Sequence, residues 1–373
     1  MQAAIDTTTV LLTGDVMVGR GIDQVLAHPA PHELYEPLVH DAREYVRLAE
    51  RTAGPIPAPV PARYPWGEAL QEIAHVAPDA SIVNLETAVT ARGQPWPGKG
   101  IHYRMHPANV GCLKAANVHA CALANNHTLD WSVEGLEDTL RTLSKAGLHA
   151  TGAGMDLAQA RAPAVLSLGG RQRLLVFSWA ATDCGVPEAW EATPHGAGVA
   201  LLRDLAATGM RQVSEAIEEH RREGDLVVLS IHWGANWVDA VPQAHRRFAH
   251  ELVDRGIVDV VHGHSAHHPM PFEVHHGKLI LYGCGDLIND YEGIESDTPH
   301  RQDVGCLFFA TVSLGSGRLV RLRIVPLQRR ALRLVRADPA ARAAIRHELH
   351  LKENGFARQV QWRRNGHWLI EAG

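Results

Sequence analysis

The chain has 373 residues, a formal net charge of −5 and 21% charged residues, a composition typical of an ordinary soluble globular protein. The slightly acidic balance argues against nucleic acid as the main partner. No run of about 18 apolar residues occurs and the N-terminal sequence has no basic leader region, so we expect neither a membrane span nor a signal peptide. Five cysteines without CxxC spacing predict buried, reduced thiols and a cytoplasmic protein.

Strand-like apolar segments alternate with segments of helical periodicity, which predicts an α/β fold. The first strand covers 7–18 and contains Gly-Asp near its end. A proline-rich stretch from about 28 to 66 follows, which predicts a long surface insertion with one short helix near 38–51. Beyond it the patterns predict helices at 66–77, 107–116 and 131–147, strands at 79–86 and from 118, and a Gly/Pro-rich loop at 92–100.

The second half of the chain continues this alternation. The patterns predict strands near 164–168, 173–179, 225–234 and 257–264, and helices at 204–222 and 245–256. Segments 278–286, 304–314 and 317–328 are predicted to be antiparallel strands that complete a second sheet. We predict one main domain over 1–337 and a C-terminal appendage over 338–373, formed by a helix and a short hairpin around Asn365-Gly366.

Five predicted strands end in polar side chains. These are Asp15, Asn84 with Glu86, Asn126 with His127, His232, and His264 with His267. Ligands of open α/β sheets bind beyond the C-terminal ends of the strands, so we expect these side chains to converge. Carboxylates, amide carbonyls and imidazoles together are ligands of Mn, Fe, Zn or Mg ions. The sequence therefore predicts a divalent-metal site.

Residues 262–268, HGHSAHH, place four histidines after an apolar strand. We predict that Gly263 interrupts this strand where the backbone approaches an ion closely. His264 and His267 are the predicted ligands. His262 and His268 are predicted to support them by hydrogen bonding, as ligand histidines usually require.

Taken in order, five segments resemble the motifs of the capsule-synthesis CapA family, a poly-γ-glutamate-related branch of the metallophosphatase (calcineurin-like) superfamily. They are GDVMVGR, IVNLETAVT, ALANNHTLDWSVEGLEDTL, SIHWGANW and VHGHSAHH. The resemblance covers roughly residues 8–290. It implies a four-layer α/β/β/α sandwich with two mixed sheets and a dinuclear metal site at the strand tips.

The resemblance also implies a role for each strand-tip residue. The positions of metal ligands are occupied by Asp15, Glu86 (as the bridging carboxylate), Asn126, His232, His264 and His267. His127 matches the unligated histidine that donates to the leaving group or to the anionic oxygen.

The sequence departs from the family pattern at several positions. Met17 stands where the superfamily has a histidine, residue 86 is glutamate rather than aspartate, and Gly285-Asp286 replaces a Gly-Asn signature. One metal position is therefore weakly held, or is completed by Asp286 or His268. Whether one ion or two are bound, and whether they are Mn, Fe or Zn, stays open.

These observations predict a metal-dependent hydrolase in which a metal-bound hydroxide attacks a phosphoester or a γ-glutamyl-type amide. His127 and Glu86 are the candidate catalytic residues. Arg20 and Arg104 are candidates for binding an anionic small-molecule or peptide-like substrate, because guanidinium groups bind phosphate and carboxylate in bidentate fashion. Asn84 is a further candidate for substrate binding. The expected setting is the synthesis of capsule, poly-γ-glutamate or a related metabolite.

Two alternative functions are open at this point. The first is a non-catalytic subunit of a polymer synthase or export complex, which the missing histidine at Met17 favours. The second is a single-metal amidase or cyclising enzyme in which Glu86 acts as a base. Asp130 is predicted to cap the helix that begins near residues 131–132, with orientation of the His127 ring as the alternative.

Overall fold

A computed structural model describes residues 6–295, 297–350, 360–363 and 366–371 of the chain. The protein is a mixed α/β structure with two large sheets of mixed strand direction. Its strands are β1 (Thr7–Val16), β2 (Ala80–Leu85), β3 (Ala88–Val89), β4 (Arg104–Met105), β5 (Ala120–Ala122), β6 (His149–Thr151), β7 (Ala153–Gly154), β8 (Ala164–Ser167), β9 (Arg173–Ala181), β10 (Gly198–Val199), β11 (Leu201–Leu202), β12 (Leu226–His232), β13 (Val260–His264), β14 (Phe272–His275), β15 (Lys278–Leu281), β16 (Asp286–Ile288), β17 (Val304–Ser313), β18 (Leu319–Arg330), β19 (Arg333–Arg336), β20 (Val360–Trp362) and β21 (Trp368–Glu371).

Nine α-helices fall within these described ranges. They are α1 (Arg20–Val25), α2 (Arg43–Ala53), α3 (Ala69–Val76), α4 (Gly111–Ala115), α5 (Ser132–Lys145), α6 (Leu157–Arg161), α7 (Ala207–His220), α8 (Gln243–Asp254) and α9 (Pro339–Glu348). Short 3-10 turns cover Tyr64–Trp66, Pro107–Asn109, Thr182–Cys184 and Glu188–Trp190. None of the described helices is long and apolar enough to cross a membrane.

The first large sheet has the strand order β20-β21-β18-β17-β1-β2-β5-β6, with β16 beside β1 and β19 beside β18. Strands β1, β2, β5 and β6 are parallel, whereas β17, β18, β21 and β20 continue the sheet in antiparallel pairs. The second large sheet has the order β11-β9-β12-β13-β15-β14, with β8 beside β9, and its central strands are parallel. Two small pairs, β3-β4 and β7-β10, complete the sheet structure of the described residues.

Side chains alternate between two apolar environments along the central strands, as the pleat of a β-strand requires. In β1, Val10 and Leu12 belong to a core that contains residues of both sheets, whereas Leu11 packs in a core with α3, α4 and α5. In β12, Val228 joins the core shared by the sheets, and Leu229 joins a third core with α7 and α8. Each sheet is therefore buried on both faces, which explains why its central strands are almost continuously apolar.

The prediction that β17 and β18 complete the second sheet is wrong. They form the predicted antiparallel pair, but β17 pairs with β1 in the first sheet instead of completing the second. The predicted strand at 278–286 is also two elements, because β15 lies in the second sheet and Asp286 starts β16, which pairs with β1 in the first. The apolar alternation of a segment predicts that it forms a strand. Which sheet the strand joins depends on which strand of the folded protein has an unpaired edge beside it.

The proline-rich insertion packs onto the body of the protein. Its helix α2 starts at Arg43, later than predicted, and the buried side chains of Ala49, Ile56 and Val60 join the core beneath the first sheet. At the other end of the chain, α9 packs in the core shared by the sheets and the β20-β21 hairpin extends the first sheet through β18. Asn365, in the predicted turn of this hairpin, lies outside the described residues. All five cysteines are buried free thiols, as their spacing predicts.

A partly buried ion pair fixes the start of the second sheet and gives a test of the fold. The Arg173 guanidinium on β9 contacts the Asp225 carboxylate, with Nε 2.8 Å from Oδ1, and the Arg222 backbone N–H donates to Oδ2 at 2.7 Å. Burial opposes ionisation of Asp225, but Arg173 and the backbone donor hold its pKa below the usual value.

We expect Asp225→Asn to lower the free energy of unfolding at pH 7 by about 1–3 kcal/mol, the usual contribution of charged hydrogen bonds. A depressed carboxyl pKa stabilises the fold above the unfolded value of about 3.9, and this contribution is lost as pH falls through the folded value. The difference from wild type should therefore shrink in urea titrations as pH falls below about 3.9. Glu188→Gln, which breaks an exposed pair with Arg203, serves as the control and should change stability by less than about 1 kcal/mol.

Candidate metal centre

The strand pairing brings the polar tips of each sheet side by side. In the first sheet, Asp15 on β1 is in register with Asn84 on β2 and with Asp286 on β16. In the second sheet, His232 at the end of β12 is in register with His264 at the end of β13. All five side chains are buried, with 0–1% of their surface exposed.

Hydrogen bonds between the sheets join these two sets of residues. The Asn84 side-chain amide donates to Asp15 Oδ1 at 2.7 Å, and its nitrogen lies 3.4 Å from His232 Nδ1. His262 Nε2 donates to the Thr13 carbonyl at 2.6 Å, so a histidine of the second sheet is tied to the first. The strand tips that are up to 249 residues apart along the chain therefore meet at one place.

Two triads of metal-ligating side chains lie at this meeting point. Asp15, His232 and His264 form the first, and Asp15, His267 and Asp286 form the second; in each, the ligand atoms lie within 4.8 Å of one another. The Nδ1 atoms of His232 and His264 are 2.7 Å apart. His267 Nδ1 is 2.7 Å from Asp286 Oδ1 and 4.0 Å from Asp15 Oδ2.

Several oxygen atoms of the predicted ligands are buried without a hydrogen-bond partner. They are Asp15 Oδ2, both carboxylate oxygens of Glu86, and Asn126 Oδ1. Leaving a buried polar group unpaired costs free energy, and the cost is greater for a charged group. Carboxylate and amide oxygens next to imidazole nitrogens are ligands of divalent transition ions, so these residues fit such an ion.

The shifted pKa values of the site residues also favour a bound cation among them. Burial, and then the neighbouring Asp286 carboxylate, raise the pKa of Asp15 to about 7. Burial, then Asp15 and Asp286, raise the pKa of Glu86 well above its ordinary value. Burial lowers the pKa of His232 and His264 far below the usual range, so both rings are neutral and have the lone pairs that a metal requires. Burial opposes protonation of His267, but the Asp286 and Asp15 carboxylates together raise its pKa.

His127 lies at the edge of the triads with its Nε2 3.8 Å from Glu86 Oε1. Its Nδ1 contacts Asp130 Oδ2 at 2.6 Å, which orients the ring. The predicted capping role of Asp130 is wrong, because α5 begins without a side-chain cap and Asp130 instead accepts from the Tyr103 backbone N–H at 2.6 Å. Burial lowers the pKa of His127 to about 4, although Asp130 opposes this shift.

Lys99 is a residue of this site that the sequence analysis missed. Its ammonium group lies 2.6 Å from Asp130 Oδ1 and 3.1 Å from His127 Nδ1, and it donates to the Ile101 carbonyl at 2.7 Å. A single lysine in the Gly/Pro-rich loop at 92–100 gives no sequence signal of this contact. The tertiary structure alone brings it to His127.

The loop that carries His267 has a strained backbone. Ser265 and His267 have φ values of 101° and 62°, a region that side chains other than glycine rarely adopt. Gly263 does not interrupt the strand as predicted, since β13 runs through it. A Cβ at Gly263 would lie 2.3 Å from the Tyr282 carbonyl oxygen, so the glycine allows close backbone packing.

The remaining predicted residues are placed as follows. Arg20 is buried, and its guanidinium donates to Asp290 and Glu36 at 2.9 Å each. The Arg104 guanidinium lies 3.6 Å from the centre of the Trp131 ring. Neither arginine is brought to the two triads, so substrate binding by Arg20 and Arg104 stays a prediction. Asn84 lies between Asp15 and His232, as described above.

Of the two residues proposed to replace the missing histidine, only one reaches the triads. Met17 is fully buried, with its sulfur 3.7 Å from the Tyr291 hydroxyl, and offers no imidazole. Asp286 belongs to the second triad, whereas His268 points to a different cluster. His262 hydrogen-bonds Ser230, whose hydroxyl also contacts His264 Nε2 at 2.9 Å.

The sequence of this chain matches a known family of bacterial proteins. The profile of the family described as bacterial capsule synthesis protein PGA_cap matches residues 9–291, and the chain belongs to this family. It is 45% identical over 356 residues to a probable polyglutamine synthesis accessory protein of Mycobacterium tuberculosis, which covers 95% of this chain and 93% of the relative. It is 28% identical to the PGA biosynthesis protein CapA of Bacillus subtilis, over 57% of this chain and 54% of the relative.

Proposed function

We propose that this protein is a metal-dependent hydrolase of a phosphoester or a γ-glutamyl-type amide. The observation that carries the proposal is that buried, unpaired oxygens of Asp15 and Glu86 lie beside each other, with the neutral imidazoles of His232 and His264 next to Asp15. Such a set of groups is costly in a purely structural core and favourable around a cation. The three cores around two sheets further support the four-layer α/β/β/α arrangement that the family resemblance implies.

Divalent ions would be held by two overlapping ligand sets. Asp15 is common to both triads, His232 and His264 complete the first, and His267 and Asp286 complete the second. Glu86 and Asn126 supply further oxygens. Bound divalent ions such as Mn²⁺, Fe²⁺ or Zn²⁺ would lower the pKa of water and offset negative charge on the substrate.

The protein's own side chains provide the proton chemistry. In our proposal, the neutral His127 ring, whose Nδ1 proton is held by Asp130, takes up the proton of the attacking water at Nε2 and then donates it to the leaving group. Asp130 holds Nδ1 of the same ring and so fixes which nitrogen faces the substrate. The Lys99 ammonium group contacts Asp130 beside His127 and offsets the negative charge of this carboxylate.

The relatives suggest the biological setting. One is named a probable polyglutamine synthesis accessory protein, and another is named a PGA biosynthesis protein. We propose by extension that this protein acts in the synthesis of a glutamate-based or glutamine-based polymer. A γ-glutamyl amide of such a polymer carries free carboxylates, whose negative charge divalent ions at the strand tips would offset.

The proposal is tested by metal analysis and hydrolysis on one preparation. Protein purified without chelator is expected to contain one or two equivalents of divalent ion at the strand tips, in addition to any ion bound elsewhere. With Mn²⁺ added, it should hydrolyse an aryl phosphate or a γ-glutamyl anilide, and chelation should abolish turnover. His232→Asn should lose the ion of the first triad and turnover, whereas His149→Asn, which changes an exposed histidine on β6, should lose neither.

A non-catalytic accessory role is the second candidate, and Met17 at the expected histidine position favours it. In that case the ions would still bind and chelation would lower Tm, but none of the substrates would turn over. Turnover of the anilide alone with a single strand-tip ion would instead favour a single-metal amidase with Glu86 as the base.

A further inference from the structure

We propose that His268, His300 and Glu348 form a second metal site, separate from the strand-tip centre. His268 follows the strand-tip ligand His267, His300 lies in the segment before β17, and Glu348 ends helix α9. Their ligand atoms lie within 4.8 Å of one another. The side chains are 2%, 8% and 15% exposed, so water is largely kept from the position between them.

The hydrogen bonds of His268 leave one nitrogen for an ion. Its Nε2 lies 2.9 Å from the Val238 carbonyl oxygen, which accepts only, so Nε2 carries the proton. In the neutral ring Nδ1 is then a bare lone pair. This atom is buried without a hydrogen-bond partner and lies 3.2 Å from Glu348 Oε2, which is also an acceptor. A cation between these two atoms removes their repulsion.

His300 is arranged in the same way around Glu348. Its Nδ1 lies 3.0 Å from Glu348 Oε1, and its Nε2 faces the Asp239 carboxylate at 3.4 Å. Metal-ligating histidines usually direct the second ring nitrogen to a carbonyl or a carboxylate, and both rings here do so. Ligand atoms around a tetrahedral ion at about 2.1 Å are separated by about 3.4 Å, close to the distances from Glu348 to the two rings.

The two histidine rings of this site pack against each other. The His268 and His300 rings are stacked with centroids 3.8 Å apart and planes 10° apart. Two imidazoles and a carboxylate around a single ion form a ligand set suited to Zn²⁺ or Co²⁺.

Trp237 connects this site to the strand-tip centre. Its ring is 6.3 Å from that of His268 and 6.4 Å from that of His300 in near-parallel planes, and 5.4 Å from that of His267. An ion on His268 would fix the residue next to His267, in the loop with the strained backbone. We therefore infer a structural ion that positions His267 and ties the end of α9 to the loop.

The test is Zn²⁺ binding in the full chain, measured by equilibrium dialysis and metal analysis. In an Asp15→Asn background, which removes the strand-tip ions, one equivalent of Zn²⁺ should remain. Adding Glu348→Gln or His300→Asn should remove it, together with the Zn²⁺-dependent rise in Tm. His347→Asn changes an exposed histidine beside Glu348 and should leave the equivalent bound.

Co²⁺ reports the same site independently, because its visible absorption depends on the coordinating atoms. We expect the absorption of Co²⁺-loaded Asp15→Asn to be lost with Glu348→Gln or His300→Asn and kept with His347→Asn. Either of the first two variants is sufficient if the other does not fold. Equal Zn²⁺ binding in Glu348→Gln, His300→Asn and His347→Asn would overturn the proposal and leave Glu348 as a hydrogen-bonding partner only. This result is independent of whether the strand-tip centre is catalytic.

Discussion

Asp15→Asn is expected to remove the strand-tip ions and to abolish the effect of Mn²⁺ on the stability of the fold. Asp15 belongs to both triads, so the substitution weakens both ligand sets at once. In chelated wild-type protein the ionised Asp15 carboxylate destabilises the folded state, because its pKa is raised to about 7. The unfolded chain releases this proton near pH 3.9, and the folded state holds it to about pH 7.

The sign of the pH dependence follows from this difference. The folded state binds the additional proton between about pH 4 and 7, so chelated wild type should lose stability as pH rises through this window. The loss reflects the cost of ionising Asp15 in a buried position beside the Asp286 carboxylate. Chelated Asp15→Asn should lack this loss and melt at a higher temperature than chelated wild type at pH 8.

Calorimetry with and without Mn²⁺ at pH 5 and pH 8 checks this prediction. Adding Mn²⁺ at pH 8 should raise the Tm of wild type and leave the Tm of Asp15→Asn unchanged. Asp254→Asn is the control, because Asp254 is an exposed carboxylate that belongs to neither triad but to a separate cluster with His275 and His276. This variant should respond to Mn²⁺ as wild type does. A chelated Asp15→Asn that melts below chelated wild type at pH 8 would show that Asp15 stabilises the fold without an ion.

His127→Asn is expected to lower kcat by about 10²–10⁴-fold, the usual contribution of a general acid. His127 is not in either triad, so the metal content should not change. The asparagine keeps a polar side chain beside Asp130 but cannot transfer a proton. Metal analysis and steady-state kinetics on the Mn²⁺-dependent hydrolysis check both parts of the prediction.

Asp130→Asn tests how much the orientation of the His127 ring contributes, apart from the proton transfer by this ring. It keeps the ring of His127 but removes the carboxylate that binds Nδ1, so kcat should fall by less than in His127→Asn. His149→Asn controls for the loss of a histidine in general. Loss of metal from His127→Asn, or unchanged kcat in this variant, would remove His127 from the proposed chemistry.

Much of this site could be predicted from short sequence segments. Asp15, Asn84, His232 and His264 each end an apolar strand, and the strand-end rule for α/β sheets predicts that such residues meet. The same segments carry the resemblance to the family to which the chain belongs. These signals are local, because strand alternation and turn residues are encoded within a few positions.

Other contacts depended on long-range packing. Asp286 reaches Asp15 because the chain passes from the second sheet at β15 to the first sheet at β16, where β16 pairs with β1. The sequence predicts a single strand over both. Lys99 reaches His127 from a loop without a predicted contact. Arg20 follows the first strand closely, yet its guanidinium is held by Asp290, 270 residues away.

The sequence by itself determined the α/β class, most strand positions and the residue types at the strand tips. The tertiary structure decided which sheet β17 and β18 join, which carboxylate completes the second triad, and that His268 faces His300 and Glu348 instead of the strand-tip centre. The physical reason is that burial and backbone alternation act between neighbours in the chain, whereas side-chain partners are chosen by the packing of segments that are hundreds of residues apart.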